Sequence, residues 1–363
     1  MSATSGISPF PFLPQQRVRL TKQMLGNQTR KSILYLEQNF LSAVQRVERW
    51  AHEPMAKITE LLDLQLLAIP YSSTHIGEAD LNGEYRDELV QFIQRISRGH
   101  RFEPYWRVEE TQIIKAFDTF LDKDPAAYQK EDRDALSPSV HDWDSDYSAS
   151  VFSAATGVGR RSFYKQKALA ELLKVLPQWA NKARTFEEDI ALEISDAARL
   201  LVLDSSINSS IVETMRYVAQ AKNAGPGTIG AFFQSAHFAA VPAVQLSARL
   251  FSAYKANLRL SKTAPDPASK KTQSKLSGFL SDIQHAATYA PYCDGYFTDN
   301  AMARLMREKR VNVEGDFGCK VFSAKSMDDF LAWLEGIKSR MTPEHADDLS
   351  WAYPRYRDLF RKG

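Results

Sequence analysis

The pattern of apolar and polar positions predicts a regular alternation of strands and helices over residues 31–100. The apolar run Ile33–Leu36 predicts a buried strand, and Phe40–Trp50 has the spacing of a helix. Leu66–Pro70 predicts a second strand, and Glu84–Ser97 a strongly amphipathic helix. Such alternation is typical of an α/β unit built on a parallel sheet.

The middle of the chain shows helical periodicity without strand patterns. Residues 122–165 are polar and irregular, and Pro265–Lys275 is predicted to be a polar, basic linker. The predicted helices are Val108–Leu121, Lys167–Ala183, Glu187–Leu203, Ile211–Asn223, Ile229–Ala240 and Val244–Leu258.

Strand and helix patterns return at the end of the chain. The predicted elements are helix Leu276–Tyr289, strand Gly295–Thr298, helix Asn300–Arg307, strand Lys320–Ala324 and helix Met327–Lys338. We therefore predict a discontinuous α/β domain with a parallel sheet, interrupted by a large, mainly α-helical insertion. Its parts are an arm at 1–30, a core at 31–110 and 275–340, the insertion at 111–274 and a tail at 341–363.

Charge is distributed unevenly, although the formal net charge is only +2. From Thr214 to Ser281 the sole acid is Asp266, set among nine basic residues, whereas 108–147 is rich in acids. This asymmetry indicates either a polyanion-binding face or two solvated surfaces of opposite sign. Arg249, Lys255 and Arg259 are the candidate substrate-binding cations of such a face.

Cysteine usage and hydropathy favour a cytoplasmic protein without a membrane partner. Cys293 and Cys319 cannot form a disulfide framework, and no metal-type Cys/His spacing accompanies them. The first 16 residues lack the pattern of a signal peptide. No apolar run approaches the roughly 18 residues that a membrane span needs.

Acidic residues occur where the predicted strands end. Glu37 ends the first strand, Glu78 follows the second and Asp299 ends the third, while Asp282 and His285 share one face of a helix. In open α/β sheets, ligands bind at the carboxyl ends of strands. Because gathered carboxylates repel each other, a cation is the natural reason to gather them. A Mg²⁺ or Mn²⁺ ion suits such oxygen ligands.

Each of these residues also has a structural interpretation. Asp299 could cap the following helix, since Asp is favoured there, and the helix dipole could favour Glu78. Asp294 could cap a turn, and the remaining acids could be ordinary surface residues. Histidines such as His75 and His285 are more often hydrogen-bonded structural residues than catalytic groups.

Four segments of the chain, taken in order, carry a family resemblance. They are Tyr35-Leu36-Glu37-Gln38-Asn39, Ser72-Ser73-Thr74-His75-Ile76-Gly77-Glu78, Ser281-Asp282 with His285, and Pro291-Tyr292-Cys293-Asp294 with Thr298-Asp299. Their order and context resemble the motifs of PIN-like nuclease domains, in particular bacterial ones with a large insertion between the second and third motifs. The resemblance covers residues 31–100 and 276–338.

The resemblance implies a parallel sheet flanked by helices, one or two divalent ions held by acids, and, as in most members, cleavage of RNA. By position, the catalytic and metal-binding acids are Glu37, Glu78, Asp282 and Asp299. The supporting residues that it implies are Asn39, His285, Asp294 and Thr298. Mg²⁺ or Mn²⁺ is the implied cofactor and RNA the implied partner.

One position departs from the family pattern, because the first acid is usually Asp and here is Glu37. The longer side chain moves the carboxylate outward, and Mg²⁺ demands near-octahedral geometry. Either the site has adjusted, or catalysis is weakened or lost. Three hypotheses follow: a metal-dependent endoribonuclease, a degenerate PIN-like module that binds nucleic acid or a protein partner, and a phosphatase or other metal hydrolase. The insertion could also provide a contact with a second copy.

Overall fold

Two segments from opposite ends of the chain form one parallel sheet in the computed structural model. The model describes residues 29–79, 86–137, 140–144, 173–179, 184–203, 209–261 and 266–353. The strands are β1 (Ser32–Leu36), β2 (Leu67–Ala68), β3 (Arg101–Phe102), β4 (Leu136–Ser137), β5 (Gly295–Phe297) and β6 (Lys320–Phe322). The main sheet has the order β2-β1-β5-β6, and all its neighbours are parallel. This confirms the predicted sheet shared by the two ends.

The helices follow the strands and then fill the middle of the chain. Those before residue 180 are α1 (Gln38–Gln45), α2 (Arg49–Asp63), α3 (Ser73–Ala79), α4 (Arg86–Ser97), α5 (Tyr105–Leu121) and α6 (173–179). The next are α7 (Phe186–Leu203), α8 (Ser209–Ala221), α9 (Thr228–Phe233), α10 (Ala236–Ala239) and α11 (Pro242–Leu260). The last are α12 (Lys270–Tyr289), α13 (Asn300–Met306), α14 (Val313–Phe317), α15 (Met327–Lys338) and α16 (Pro343–Ala352). Within the described ranges, no helix is both long and apolar enough to cross a membrane.

Strand β1 lies inside the sheet with all five residues buried, which explains its continuous apolar run. Ile33 and Tyr35 join a core formed with α11, α12 and α13. Leu34 and Leu36, which point to the other face, join a core formed with α1, α2, α4 and α15. Helices therefore cover both faces of the sheet.

The strand order reverses between β1 and β5. β2 lies beside β1 on one side, and β6 lies beside β5 on the other. Beyond β2 the sheet extends by a single parallel bridge from Tyr71 to Arg101 of β3, which pairs antiparallel with β4. A reversal of this kind leaves a crevice at the carboxyl ends of the two central strands.

The helical middle has its own apolar cluster, which contains Phe117, Met215, Phe232 and Phe238 from α5, α8, α9 and α10. Helix α11 is different, because its Leu246, Leu250 and Ala253 belong to the core that covers one face of the sheet. The sheet's core thus continues across the predicted boundary at residue 274.

The secondary structure differs from the prediction in three places. The predicted linker is wrong over residues 270–275, because α12 already begins at Lys270. The two-residue strands β3 and β4 have no counterpart among the predicted elements. Helix α16 lies in the predicted tail, and its Leu349 is fully buried in the core beneath β1 and β2.

Candidate metal centre

The carboxyl ends of β1 and β5 meet at the reversal of strand order and bring Glu37 and Asp299 together. The backbone N–H of Glu37 donates to the Phe297 carbonyl at 3.0 Å. The backbone N–H of Asp299 in turn donates to Oε2 of Glu37 at 3.3 Å. Two acids 262 positions apart in the sequence therefore share one edge of the sheet.

Asp282 on α12 contributes a third carboxylate to the same place. Burial is the main cause that raises the pKa of Glu37 well above its usual value, and the charge of Asp282 is the next. The charge of Asp299 also raises this pKa, while the Thr298 hydroxyl and the Asp299 N–H lower it. Asp282 and Asp299 are thus each close enough to Glu37 for their charges to disfavour its ionised form.

Asp299 caps helix α13, as its structural interpretation predicted. Its Oδ1 accepts hydrogen bonds from the backbone N–H groups of Ala301 at 2.7 Å and Met302 at 2.8 Å. A carboxylate has about four lone-pair sites, so two remain unused by the cap. Because the cap fixes the orientation of the side chain, it leaves those sites pre-positioned for another partner.

Several buried polar atoms beside Glu37 have no hydrogen-bond partner among the described residues. They are Oη of Tyr296, and both Oε1 and Nε2 of Gln38. Thr298 and Tyr296 are fully buried. The Thr298 hydroxyl lies toward Glu37 and lowers its pKa through hydrogen bonding. Buried polar atoms without partners typically mark a place for water or an ion.

The resemblance implied Asn39 as the polar neighbour, whereas the structure encloses the polar atoms of Gln38. Asn39 is exposed on the first turn of α1, and the side-chain amide of Gln38 is enclosed. Sequence reasoning singled out neither Gln38 nor Tyr296. Gln38 lies next to Glu37 and Tyr296 lies two residues before Thr298, and this proximity was the signal available.

Asp294 lies at the opposite edge of the sheet, so its assignment as a supporting residue was wrong. It precedes β5 and accepts hydrogen bonds from the Ile33 N–H at 2.8 Å and from Arg30 at 3.0 Å. At about 3.3 Å per residue along a strand, it is on the order of 15 Å from the acids at the carboxyl edge. Its role is to fix the start of β1 against β5.

The two histidines near the acids make structural hydrogen bonds. Nε2 of His285 is 2.6 Å from the Thr74 hydroxyl and links α12 to α3. Nδ1 of His75 accepts from the Ser72 N–H at 3.0 Å, and its Nε2 donates to the Leu36 carbonyl at 2.8 Å. Burial lowers the pKa of His75 to about 4, so its imidazole is neutral at physiological pH.

Glu78 lies on α3, directly after the segment that follows β2. This helix follows the carboxyl end of β2, which places its backbone on the carboxyl side of the sheet. Its side chain lies outside the described residues, so its predicted role as a metal ligand stays a prediction.

The three predicted substrate-binding cations form internal ion pairs. Lys255 and Arg259 on α11 pair with Glu193 and Asp189 on α7. The Lys255 ammonium also lies 4.8 Å from the centroid of the Trp179 ring. Arg249 pairs in the same way with Asp316. These contacts hold helices together, which gives the three cations a structural role and not an open basic face.

Among the described residues, no group of three or more His, Cys, Asp or Glu side chains is arranged so that it could hold a metal ion. Two facts are consistent with this absence. Asp299 uses one of its carboxylate oxygens to cap α13, and the side chain of Glu78 lies outside the described residues. It excludes a preformed cage of the structural-zinc type within the described part. Mg²⁺ needs fewer protein ligands than such a cage provides, because it is usually held by one or two carboxylates, several waters and a substrate phosphate.

The chain matches no protein-family model, and comparisons with curated proteins and with solved structures find no match either. The likeness to PIN-like domains therefore stays a prediction from the motifs. Function has to be inferred from the chemistry at the carboxyl edge of the sheet.

Proposed function

We propose that this protein is a divalent-metal-dependent endoribonuclease whose reaction centre lies at the carboxyl edge between β1 and β5. The observation that carries the proposal is the approach of Asp282 and Asp299 to Glu37, because the charge of each contributes to the raised pKa of Glu37. A fold without a cation to bind has no evident reason to bring these three carboxylates together at a ligand-binding edge.

The residues at this edge fit a hard divalent ion. The available donors are carboxylate oxygens and the hydroxyl of Thr298, and Mg²⁺ and Mn²⁺ prefer such oxygen ligands. Bound there, such an ion supplies an activated water and neutralises charge on a phosphodiester. It also reverses the local electrostatics, because a cation favours the ionised form of Glu37.

The protein side chains have separate tasks in this proposal. Glu37 and Asp282 would provide the negative charge that holds the ion, and a cation there would favour the ionised form of Glu37. Asp299 is already oriented by its two backbone donors, so its remaining oxygen sites enter the site with little loss of side-chain entropy. The aromatic rings of Tyr35 and Tyr296, stacked with centroids 4.7 Å apart, are buried in the core on one face of the same two strands.

An exposed aromatic side chain that packs against Phe297 of β5 supports single-stranded RNA as the substrate. The Trp50 ring is 36% exposed and lies 6.2 Å from the ring of Phe297, whose carbonyl binds the N–H of Glu37. Its indole N–H donates to Glu48 at 2.8 Å, which fixes the ring, and Arg49 beside it is exposed. Single-strand binding sites combine aromatic faces for base stacking with cations for the phosphates.

The proposal is tested by cleavage of an end-labelled single-stranded RNA by the purified full chain with Mn²⁺. We expect cleavage that EDTA stops and that Asp282→Asn abolishes. The matched control is Asp328→Asn, the same change at an exposed position on α15, which should leave cleavage unchanged. Cleavage that survives Asp282→Asn, or that separates from the protein on further purification, would show the assignment to be wrong.

A degenerate binding module is the second candidate. Two observations favour it: Glu37 in place of the usual Asp, and the lack of a preformed acidic cage among the described residues. A crystal structure from Mn²⁺-soaked crystals with no ion beside Glu37 would support this candidate over the nuclease. A parallel assay with a generic phosphomonoester separates both from a phosphatase.

A further inference from the structure

Gln38 is the first residue of α1 and follows Glu37 directly. Both polar atoms of its side-chain amide are buried and have no hydrogen-bond partner among the described residues. Gln38 and the other glutamine of this helix, Gln45, are both partly exposed, but the amide of Gln45 bonds Glu88 at 3.5 Å. The enclosed amide without a partner is therefore specific to position 38 and is not shared by both glutamines of the helix.

A buried amide without partners opposes folding, because its donor and its acceptor both lose their bonds to water. Proteins usually keep such a group only where a water or ion completes it. Tyr296 gives a second, independent sign of this on the neighbouring strand, since its buried hydroxyl also lacks a partner. Burial is the main cause that raises the pKa of Tyr296, and the nearby charges of Glu37 and Asp282 add to it.

We propose that Gln38 is a positioning residue for the metal centre, whose amide holds water molecules bound to the ion. This rests on the proposed function. Mg²⁺ and Mn²⁺ sites of this type keep several waters, and a side-chain amide can donate to one through Nε2 and accept from another through Oε1. An enclosed amide next to the first acid is pre-oriented for that task, as outer groups of metal sites are.

The test compares Gln38→Met with Gln45→Met in the full chain. Methionine keeps the length of the side chain and removes both polar atoms. Mn²⁺ affinity is measured by titration calorimetry, and the thermal midpoint Tm is measured without metal. We expect Gln38→Met to weaken Mn²⁺ binding about tenfold or more. We also expect it to raise the metal-free Tm, because two unpaired buried atoms are lost. Gln45→Met should change neither quantity in this way.

The two readouts separate the possible failures. Unchanged Mn²⁺ affinity in Gln38→Met overturns the inference and leaves the metal centre intact. A lower metal-free Tm also overturns it, because the amide then supports the fold through partners of its own. If the wild-type protein binds no Mn²⁺ at all, the proposed function fails first and the role of Gln38 fails with it.

Discussion

Replacing Asp144 with Asn should cost the protein a large share of its folding stability. Oδ1 of Asp144 accepts from Lys31 and from His100, each at 2.8 Å. Its Oδ2 accepts from Gln65 at 3.2 Å and Arg98 at 3.3 Å. Lys31, Gln65 and His100 stand just before β1, β2 and β3, so one carboxylate joins the amino ends of three strands.

The magnitude follows from burial. The Lys31 side chain is 0% exposed and that of Asp144 7%, so the substitution leaves a buried ammonium without its counter-charge. Breaking a buried pair in this way costs about 3–5 kcal/mol. The total free energy of unfolding of a typical domain is only about 5–15 kcal/mol. The substitution is thus expected to remove about a fifth or more of the stability.

The pH dependence has a definite sign. Burial acts to raise the pKa of Asp144, but the Lys31 charge and the His100 hydrogen bond outweigh it and hold this pKa well below its usual range. The unfolded state therefore binds the proton more readily. The contribution is complete above pH about 4 and is lost as pH falls toward the depressed pKa of the folded state.

The assay is urea unfolding followed by circular dichroism at pH 7. Asp142→Asn, the same change at an exposed neighbour, should stay within about 0.5 kcal/mol of wild type. Lys31→Met added to Asp144→Asn should restore part of the loss, because it removes the unpaired charge. A loss below about 1 kcal/mol for Asp144→Asn, or a double variant no more stable than the single one, would refute the reasoning.

Two further predictions concern the sheet and the acids. Glu37→Gln should raise the metal-free Tm more at pH 8 than at pH 5. Because the pKa of Glu37 is higher in the folded state, wild-type stability falls as the pH rises above the pKa that Glu37 has in the unfolded chain. Equal gains in Tm at both pH values would contradict this. Gly295→Ala should destabilise by about 1–3 kcal/mol in urea, since its Cβ would lie 2.6 Å from the Trp333 ring. Gly278→Ala, with open space around it, should not destabilise, and a similar loss at both positions would exclude the clash as the cause.

The parts of the fold that were predictable are those encoded locally. The apolar run of β1 and the acids at the strand ends follow from a few neighbouring residues, and the rule for parallel sheets then brings Glu37 and Asp299 to one edge. β3 and β4 have two residues each, too few for any periodicity to show. Asp144 is fixed by partners far away in the sequence, such as Lys31 at 113 positions, which no local pattern reveals.

The basic residues between Thr214 and Ser281 show that counting charges along the sequence does not identify an exposed basic surface. Asp189 and Glu193 lie four residues apart on α7, so they share one helix face. They neutralise Arg259 and Lys255, although both acids lie before the counted span from Thr214 to Ser281. The local sequence also does not show which of two adjacent polar side chains has its polar atoms buried. The side chains of Gln38 and Asn39 leave helix α1 in directions about 100° apart, and the packing around the helix decides which is enclosed. Both errors come from tertiary packing, which sets partners and orientation.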